Sequence, residues 1–387
     1  MGEPMPIKSL DYYNLQSRLF KKAARRVFPI RAMFELTYRC NLKCRHCYVV
    51  PAVMNGHRAS SIEHRNELNA KQVFNILDQL AGAGCLNVGF TGGEPFLRKD
   101  IFEILGYAKN KGLNVIVLSN GTLITPGKAN RLKRLGLNKI DISFHTTDED
   151  TFDWFTKTAG TYNKVLRSIG LLRERGIEVY LKATAMTINK DDMVNIRHLA
   201  VEKFGCHFRW GPEVTPAWDG GKENLKFRLA PEEIQRVMEV IQEDAEVEFE
   251  KLGALEKENR KPKRGERRAY ERKHDRLFHC GAGRAEVVMS PYGEMRLCLD
   301  IHEPKYNILE GNFSEGWKRL ADYAKNTQPG PSYRCGDCDL AQYCSWCPAR
   351  GWLACGDMSA CPPYYRQTAE LAKRELEKKD KIVHPPA

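Results

Sequence analysis

No apolar run in this chain approaches the roughly 20 residues that a membrane-crossing helix needs. Residues 1–31 contain no apolar core of a secretory signal, and position 6, where myristoylation requires Ser or Thr, is Pro6. There is no internal repeat, no basic face interleaved with aromatic residues and no nucleic-acid motif. These absences argue against membrane and nucleic-acid partners, and the expectation is a cytoplasmic protein. Only about thirty residues precede the first strand candidate, too few for a separate peptide-recognition domain there.

The chain has 387 residues, enough for two or more domains, and 13 cysteines. In a reducing compartment such cysteines bind metal more often than they form disulfides. The formal net charge is +12, and ten basic side chains fall between Lys257 and Arg276. That stretch reads as a solvated linker, with an electrostatic handle for an acidic peptide as the sharper alternative.

From Ala32 to about Gly211, short apolar runs alternate with amphipathic segments. Strand candidates are Met33–Thr37, Leu86–Thr91, Asn114–Ser119, Lys139–Phe144, Glu178–Ala185 and His207–Trp210. Helical spacing covers Leu68–Leu80, Asp100–Lys111, Pro126–Leu135, Asn163–Arg175 and Asp191–Phe204. Six strands alternating with helices predict βαβ units and a parallel sheet, with ligands at the carboxyl ends of the strands. A charged helix is expected over Ala230–Lys251 and another over Tyr364–Lys379. Between Cys280 and Cys361 the chain is rich in Cys and Gly, with few periodic runs, and bound metal would stabilise it. The expected organisation is an N-terminal extension (1–31), an α/β domain (32–212), a helical and basic linker (213–279), a Cys-rich module (280–362) and a C-terminal helix and tail (363–387).

The first cysteine group, Cys40, Cys44 and Cys47, has C-x3-C-x2-C spacing just after the first strand. Three thiolates can hold three corners of a cubane iron–sulfur cluster and leave one iron open to a ligand. A zinc knuckle or buried apolar thiols would use the same residues, although His46 stands too close to Cys47 for an easy fourth zinc ligand. Strand two ends in Thr91-Gly92-Gly93-Glu94-Pro95, where paired glycines permit close backbone approach. Strand three ends in Ser119-Asn120-Gly121 and strand four in Asp141-Ile142-Ser143-Phe144-His145.

A second group comprises Cys280, Cys298, Cys335, Cys338, Cys344, Cys347, Cys355 and Cys361. Its run Cys335-x2-Cys338-x5-Cys344-x2-Cys347 would also suit a closed zinc ribbon. Cys85 and Cys206 sit beside strand starts and read as buried structural thiols.

The ordered combination of the C-x3-C-x2-C loop, the Gly-Gly-Glu turn and the late cysteine string resembles the radical S-adenosylmethionine (SAM) enzymes with a C-terminal SPASM domain, of the peptide-maturase kind. The resemblance implies a partial (β/α)6 barrel followed by a small Cys-rich SPASM domain. It implies a 4Fe-4S cluster on Cys40, Cys44 and Cys47, chelated by SAM and yielding a 5′-deoxyadenosyl radical. The SAM contacts it implies are the Gly92, Gly93 and Glu94 backbone for the methionine amino group, Ser119 and Asn120 for the carboxylate or ribose, and Ser143 for the ribose. His46 would stack on adenine and Lys182 would reach the carboxylate. It further implies two auxiliary 4Fe-4S clusters, one on Cys280, Cys298 and Cys347, the other on Cys335, Cys338, Cys344 and Cys361. The sequence departs from the usual string between Cys344 and Cys347, and Cys355 competes with Cys361 or could close the first cluster. The implied substrate is a ribosomally made peptide or protein, cross-linked, epimerised or oxidised, with flavodoxin or ferredoxin as electron donor. Side-chain modification of a tetrapyrrole is the alternative enzyme reading. An iron–sulfur electron carrier is the non-enzyme one, and it leaves the Gly-Gly-Glu turn unexplained.

Overall fold

In a computed structural model the described residues are 12–49, 66–252 and 276–383. The basic stretch noted above therefore lies, except for Arg276, outside the described residues. One sheet runs through the molecule, with strand order β6-β5-β4-β3-β2-β1-β7-β8-β9. The first six strands are β1 (Arg31–Thr37), β2 (Asn87–Gly92), β3 (Asn114–Ser119), β4 (Lys139–Ser143), β5 (Glu178–Thr184) and β6 (His207–Gly211). They are parallel throughout, and each lies within two residues of its expected position.

The connecting helices follow local signals. After α1 (Tyr12–Arg26), α2 (Ala70–Gly82) opens with a capping box in which Asn69 and Gln72 satisfy each other's backbone N–H groups. Then come α3 (Ile101–Asn110), α4 (Pro126–Arg134, capped by Thr125), α5 (Glu149–Thr156, capped by Asp148), α6 (Thr161–Arg173) and α7 (Met193–His198). Val73, Ile76, Leu77, Leu80, Leu132, Val165, Ile169, Leu172 and Ile196 from these helices share one core with Phe34, Leu36, Phe90, Val117, Ile140, Ile142, Val179 and Leu181. The helices thus cover one face of the sheet, as right-handed crossovers require. The opposite, inner face carries the alternate strand residues: Glu35 and Thr37 on β1, Asp141 and Ser143 on β4, Tyr180 and Lys182 on β5, His207 and Arg209 on β6.

The Cys-rich region is more regular than its sequence pattern indicated. β7 (Glu286–Met289) pairs in parallel with β1, and β8 (Glu294–Cys298) and β9 (Ile301–Asn307) continue the sheet antiparallel. Strand β7 is short, and its partner lies about 250 residues away in the chain, so nothing local marks the pairing. Val287, Met289, Met295, Leu297, Phe313 and Leu320 join the same core as the α/β domain. The module therefore completes its folding on a shared core, which agrees with its thin apolar pattern. α8 (Pro231–Leu252), α9 (Phe313–Asn326), α10 (Pro348–Cys355) and α11 (Pro363–Val383) complete the elements. No helix among the described residues is long and apolar enough to cross a membrane.

Candidate active site

The first cysteine loop leaves the carboxyl end of β1 and is held from two sides. On one side Gly93 N–H donates to Thr37 O at 2.7 Å and Glu94 N–H to Arg39 O at 2.9 Å. The approach is so close that a Cβ on Gly92 would lie 2.1 Å from Thr37 O, and one on Gly93 2.2 Å from Arg39 O. Gly92 also has φ +126°, in the region that favours glycine. The paired glycines therefore bring β2 against the chain's own backbone entering the cysteine loop. On the other side Lys43 N–H donates to Thr156 O and Arg45 N–H to Phe155 O, at the end of α5. The Arg45 guanidinium donates to Trp154 O and lies 4.2 Å from the centre of the Trp154 ring.

Glu94 is fully buried. Its carboxylate accepts from Phe96 N, from Ser119 Oγ at 3.0 Å and from Asn120 N at 2.8 Å. Burial raises its pKa, against these hydrogen bonds. Glu94 and Ser119 thus tie the end of β2 to the end of β3. Asn120 turns its side chain to the cysteine loop: Nδ2 donates to Asn41 Oδ1 at 3.0 Å and reaches Cys40 Sγ at 3.8 Å. Leu42 N–H also donates to Cys40 Sγ, at 3.5 Å. Thr122 closes this ring of contacts by donating to Asn120 Oδ1 at 2.6 Å and accepting from Asn41.

Cys40, Cys44 and Cys47 are partly buried and stand within electrostatic reach of one another. Burial pushes the Cys40 thiol up to about 11 and that of Cys44 higher still. Beside them, His46 stacks on Phe155 at 4.7 Å and meets His145 edge-on at 4.8 Å. Burial lowers His46 to about 4 and His145 well below the usual range, so both rings are neutral at physiological pH. His46 Nδ1 is buried without a hydrogen-bond partner.

Ser143 and Lys182 do not join this network. They are exposed register partners on β4 and β5. The Lys182 ammonium lies 4.0 Å from Asp141, whose Oδ1 is buried without a partner.

In the Cys-rich module, Cys280, Cys298 and Cys347 lie in one another's electrostatic field; Cys280 is exposed as a residue, yet desolvation of its thiol pushes it up to about 11, and burial pushes Cys298 up to about 12. Cys347 is the residue that caps α10. Cys338 and Cys361 both lie near the Arg366 guanidinium, and Cys344 Sγ accepts from Trp346 N at 3.4 Å. Cys355 is exposed at the far end of α10, and Cys85 and Cys206 are buried. Among the described residues no three Cys, His, Asp or Glu side chains are close enough to hold a single metal ion.

Sequence reading missed a buried network between the two cysteine groups. Arg296 Nη2, on β8, donates to Glu35 Oε2 on β1 and to Tyr38 Oη at 3.0 Å, and Tyr38 Oη donates to Glu35 Oε2 at 2.9 Å. Burial holds the Glu35 carboxyl up, at about 7, despite Arg296 and Tyr38. Trp218 meets Tyr38 and Tyr48 edge-on, each at 5.4 Å, and His302 at 4.3 Å. Tyr48 adjoins Cys47, and Asp300 lies two residues beyond Cys298. Inward alternation on β1 was a signal for Glu35. Nothing local pointed to its partner 261 residues away.

The Radical SAM superfamily profile matches residues 34–200. An AdoMet-dependent heme synthase of Methanosarcina barkeri is 25% identical over 346 residues, covering 87% of this chain and 96% of that protein. The antilisterial bacteriocin subtilosin biosynthesis protein AlbA of Bacillus subtilis is 29% identical, covering 84% of this chain and 68% of that protein. Among solved structures, Streptococcus suis SuiB bound to S-adenosylmethionine aligns with a TM-score of 0.65 at 17% identity, over 90% of this chain and 81% of that one.

Proposed function

We propose that this chain, whose residues 34–200 match the Radical SAM superfamily profile, is a radical SAM enzyme that abstracts hydrogen from a ribosomally made peptide or protein and modifies it oxidatively. The observation that carries the reading is the cysteine loop itself. Three coupled thiols at the end of β1 are held by the Gly92-Gly93 contact on one side and α5 on the other.

Cys40, Cys44 and Cys47 would hold the 4Fe-4S cluster, and the cluster with SAM supplies a 5′-deoxyadenosyl radical when both are bound. Leu42 N–H and Asn120 Nδ2 would tune the cluster by hydrogen-bonding Cys40 Sγ. The unpartnered His46 Nδ1 and the exposed Ser143 hydroxyl offer polar contacts suited to an adenosine, while the Gly92, Gly93 and Glu94 backbone would meet the methionine end. Ser119 and the Glu94 carboxylate support these positions by fixing one another. Cys280, Cys298 and Cys347 would hold one auxiliary cluster, and Cys335, Cys338, Cys344 and Cys361 a second, leaving exposed Cys355 outside both. A flavodoxin or ferredoxin in the cytoplasm would be the electron donor.

The peptide reading draws on AlbA, a bacteriocin biosynthesis protein. A second reading, modification of a tetrapyrrole, is favoured by the heme synthase, which matches this chain along nearly its whole length. Cys40→Ala is expected to abolish formation of 5′-deoxyadenosine by the anaerobically reconstituted protein, measured chromatographically. Persistence of reductive SAM cleavage would overturn the radical reading. For the substrate, a short peptide encoded beside the gene is co-expressed anaerobically in deuterated water and weighed by mass spectrometry. Loss of two hydrogens means a cross-link, deuterium gained at an α-carbon means epimerisation, and an unchanged peptide favours the tetrapyrrole.

A further inference from the structure

Helix α1 carries a charge pattern that the site described above does not use. Its 15 residues include Arg18, Lys21, Lys22, Arg25 and Arg26 and no acid. All five cations are exposed, and among the described residues none is in an ion pair. At 3.6 residues per turn, Arg18, Lys22, Arg25 and Arg26 share one face with Leu15 and Leu19, which are exposed as well. The opposite face packs on the protein: Phe20, Ala23 and Ala24 lie with Ile30 and Ala285. That contact is close, since a Cβ on Gly281 would lie 2.7 Å from Phe20 Cζ. Gly281 follows Cys280. Of the cysteines assigned to clusters above, Cys280 alone is exposed as a residue, and its thiol lies in the field of Cys298 and Cys347. Glu286 also lies against Gly281, and Arg31 pairs with it at 2.8 Å.

We propose that the solvent face of α1 docks an acidic electron-carrier protein beside Cys280. The inference rests on the radical SAM reading above, which requires an electron from outside the chain, and deepens it by placing that partner on a surface. Flavodoxins and ferredoxins are acidic, and five cations with no acid among them present a complementary potential that speeds encounter. Leu15 and Leu19 supply the apolar contact that a protein interface keeps among its charges. Phe20 anchors the helix one residue from Cys280, where the auxiliary cysteine set reaches the surface. The exchange is simple: the carrier is oxidised by one electron, the cluster that Cys280 would hold is reduced by one, and no bond is made or broken. An anionic lipid surface also attracts basic helices, but a helix lying in a membrane interface buries a broad apolar face. In α1 that face is already packed on Ala285 and Gly281.

Binding of an oxidised flavodoxin and of an oxidised bacterial ferredoxin is measured on the reconstituted full chain. The variants are Arg18→Glu/Lys22→Glu, Lys22→Arg and Lys164→Glu/Arg167→Glu. The last pair is exposed on α6 and changes the net charge by the same amount. SAM affinity and unfolding stability are measured on the same samples. At least one carrier is expected to bind the native chain, and less tightly as salt rises. Arg18→Glu/Lys22→Glu should weaken that binding at least about tenfold. It should slow reduction of the bound iron–sulfur clusters by the reduced carrier by a similar factor, with reduction by dithionite and SAM affinity unchanged. Lys22→Arg and the α6 pair should behave as the native chain does. If α1 does not tolerate two acids, Lys21→Gln/Lys22→Gln should show the same loss at smaller size. The inference is overturned if neither carrier binds, if the α6 pair weakens binding as much as the α1 pair, or if the α1 pair leaves binding and carrier-driven reduction unchanged. Binding to phosphatidylserine vesicles that the α1 pair abolishes, with carrier binding intact, would also overturn it and assign the face to a membrane surface. A native sample that dithionite reduces but that forms no 5′-deoxyadenosine would instead sink the radical reading.

Discussion

The two flanks of the sheet's inner face treat charge in opposite ways. On the β1–β8 flank, Glu35 and Arg296 are both about 1% exposed and bonded to each other and to Tyr38. On the β4–β6 flank, Lys182, His207 and Arg209 stand in the open. The difference follows from what each flank carries. The first cysteine loop leaves β1, and Cys298 ends β8, so the Glu35–Arg296 pair ties together the strands that bear both cysteine groups. A buried pair of this kind is weak evidence for net stability, but it penalises any misregister, because a slip would strand a charge in the interior. The open flank bears no cysteines and leaves its cations to solvent and to whatever enters. One flank fixes geometry and the other can accept a ligand.

Breaking the sealed flank should have the largest effect. Arg296→Ala leaves Glu35 buried without its cation, bonded only to the Tyr38 hydroxyl, and is expected to cost about 3–5 kcal/mol in denaturant unfolding. A cost below that of an ordinary surface substitution would show that the flank is not sealed.

The same flank should govern part of the pH dependence. Glu35 is held near 7 when folded against an ordinary value of 4.5, so the folded chain keeps a proton that the unfolded chain has released. Its contribution is fully present below pH 4.5 and declines as pH rises to about 7. Between those values stability should fall with a slope of up to about 1.4 kcal/mol per pH unit from this group alone. Glu35→Gln should remove that slope, whatever it does to the overall level. Identical slopes in the two proteins would contradict the assignment.

A smaller effect is expected at the junction of β2 with the cysteine loop. Gly93→Ala forces a methyl group against the Arg39 carbonyl and should cost about 1–3 kcal/mol. Iron bound per chain after reconstitution should fall with it, because the displaced backbone leads into Cys40. Unchanged iron content would mean that the glycines do not position the loop. The smallest effect belongs to the open flank. Arg209→Ala should leave unfolding stability within about 0.5 kcal/mol, as surface substitutions do, and a multi-kcal/mol loss would erase the contrast between the flanks.

Much of the α/β domain was legible in the chain because its signals are local. Strands β1 to β6 follow apolar runs bounded by turn residues, and α2 and α4 begin at side-chain caps. Helix α5 was overlooked although Asp148 caps it and Glu149 and Asp150 fill its first turn, the arrangement that suits a helix start. It matters for the site, since its last residues hold the cysteine loop. The Gly-Gly-Glu turn was recognised as a place of close backbone approach, but the partner in the structure is the chain's own Thr37–Arg39 segment. Glu94 was read as offering its backbone to SAM, and what the sequence left unsaid is that its side-chain carboxylate bonds the Ser119 hydroxyl. In both cases residue type announced a tight or polar contact without saying with what.

By itself the sequence determined the parallel α/β plan, the cysteine spacing and the turn residues at the strand ends, because each is written in residues a few positions apart. Only the tertiary structure decided that β7 would pair with β1, that Arg296 would meet Glu35 and that Lys182 would stand opposite Arg209. Such contacts depend on which strands become neighbours and in what register, and that is set by burial of the whole core rather than by any local pattern.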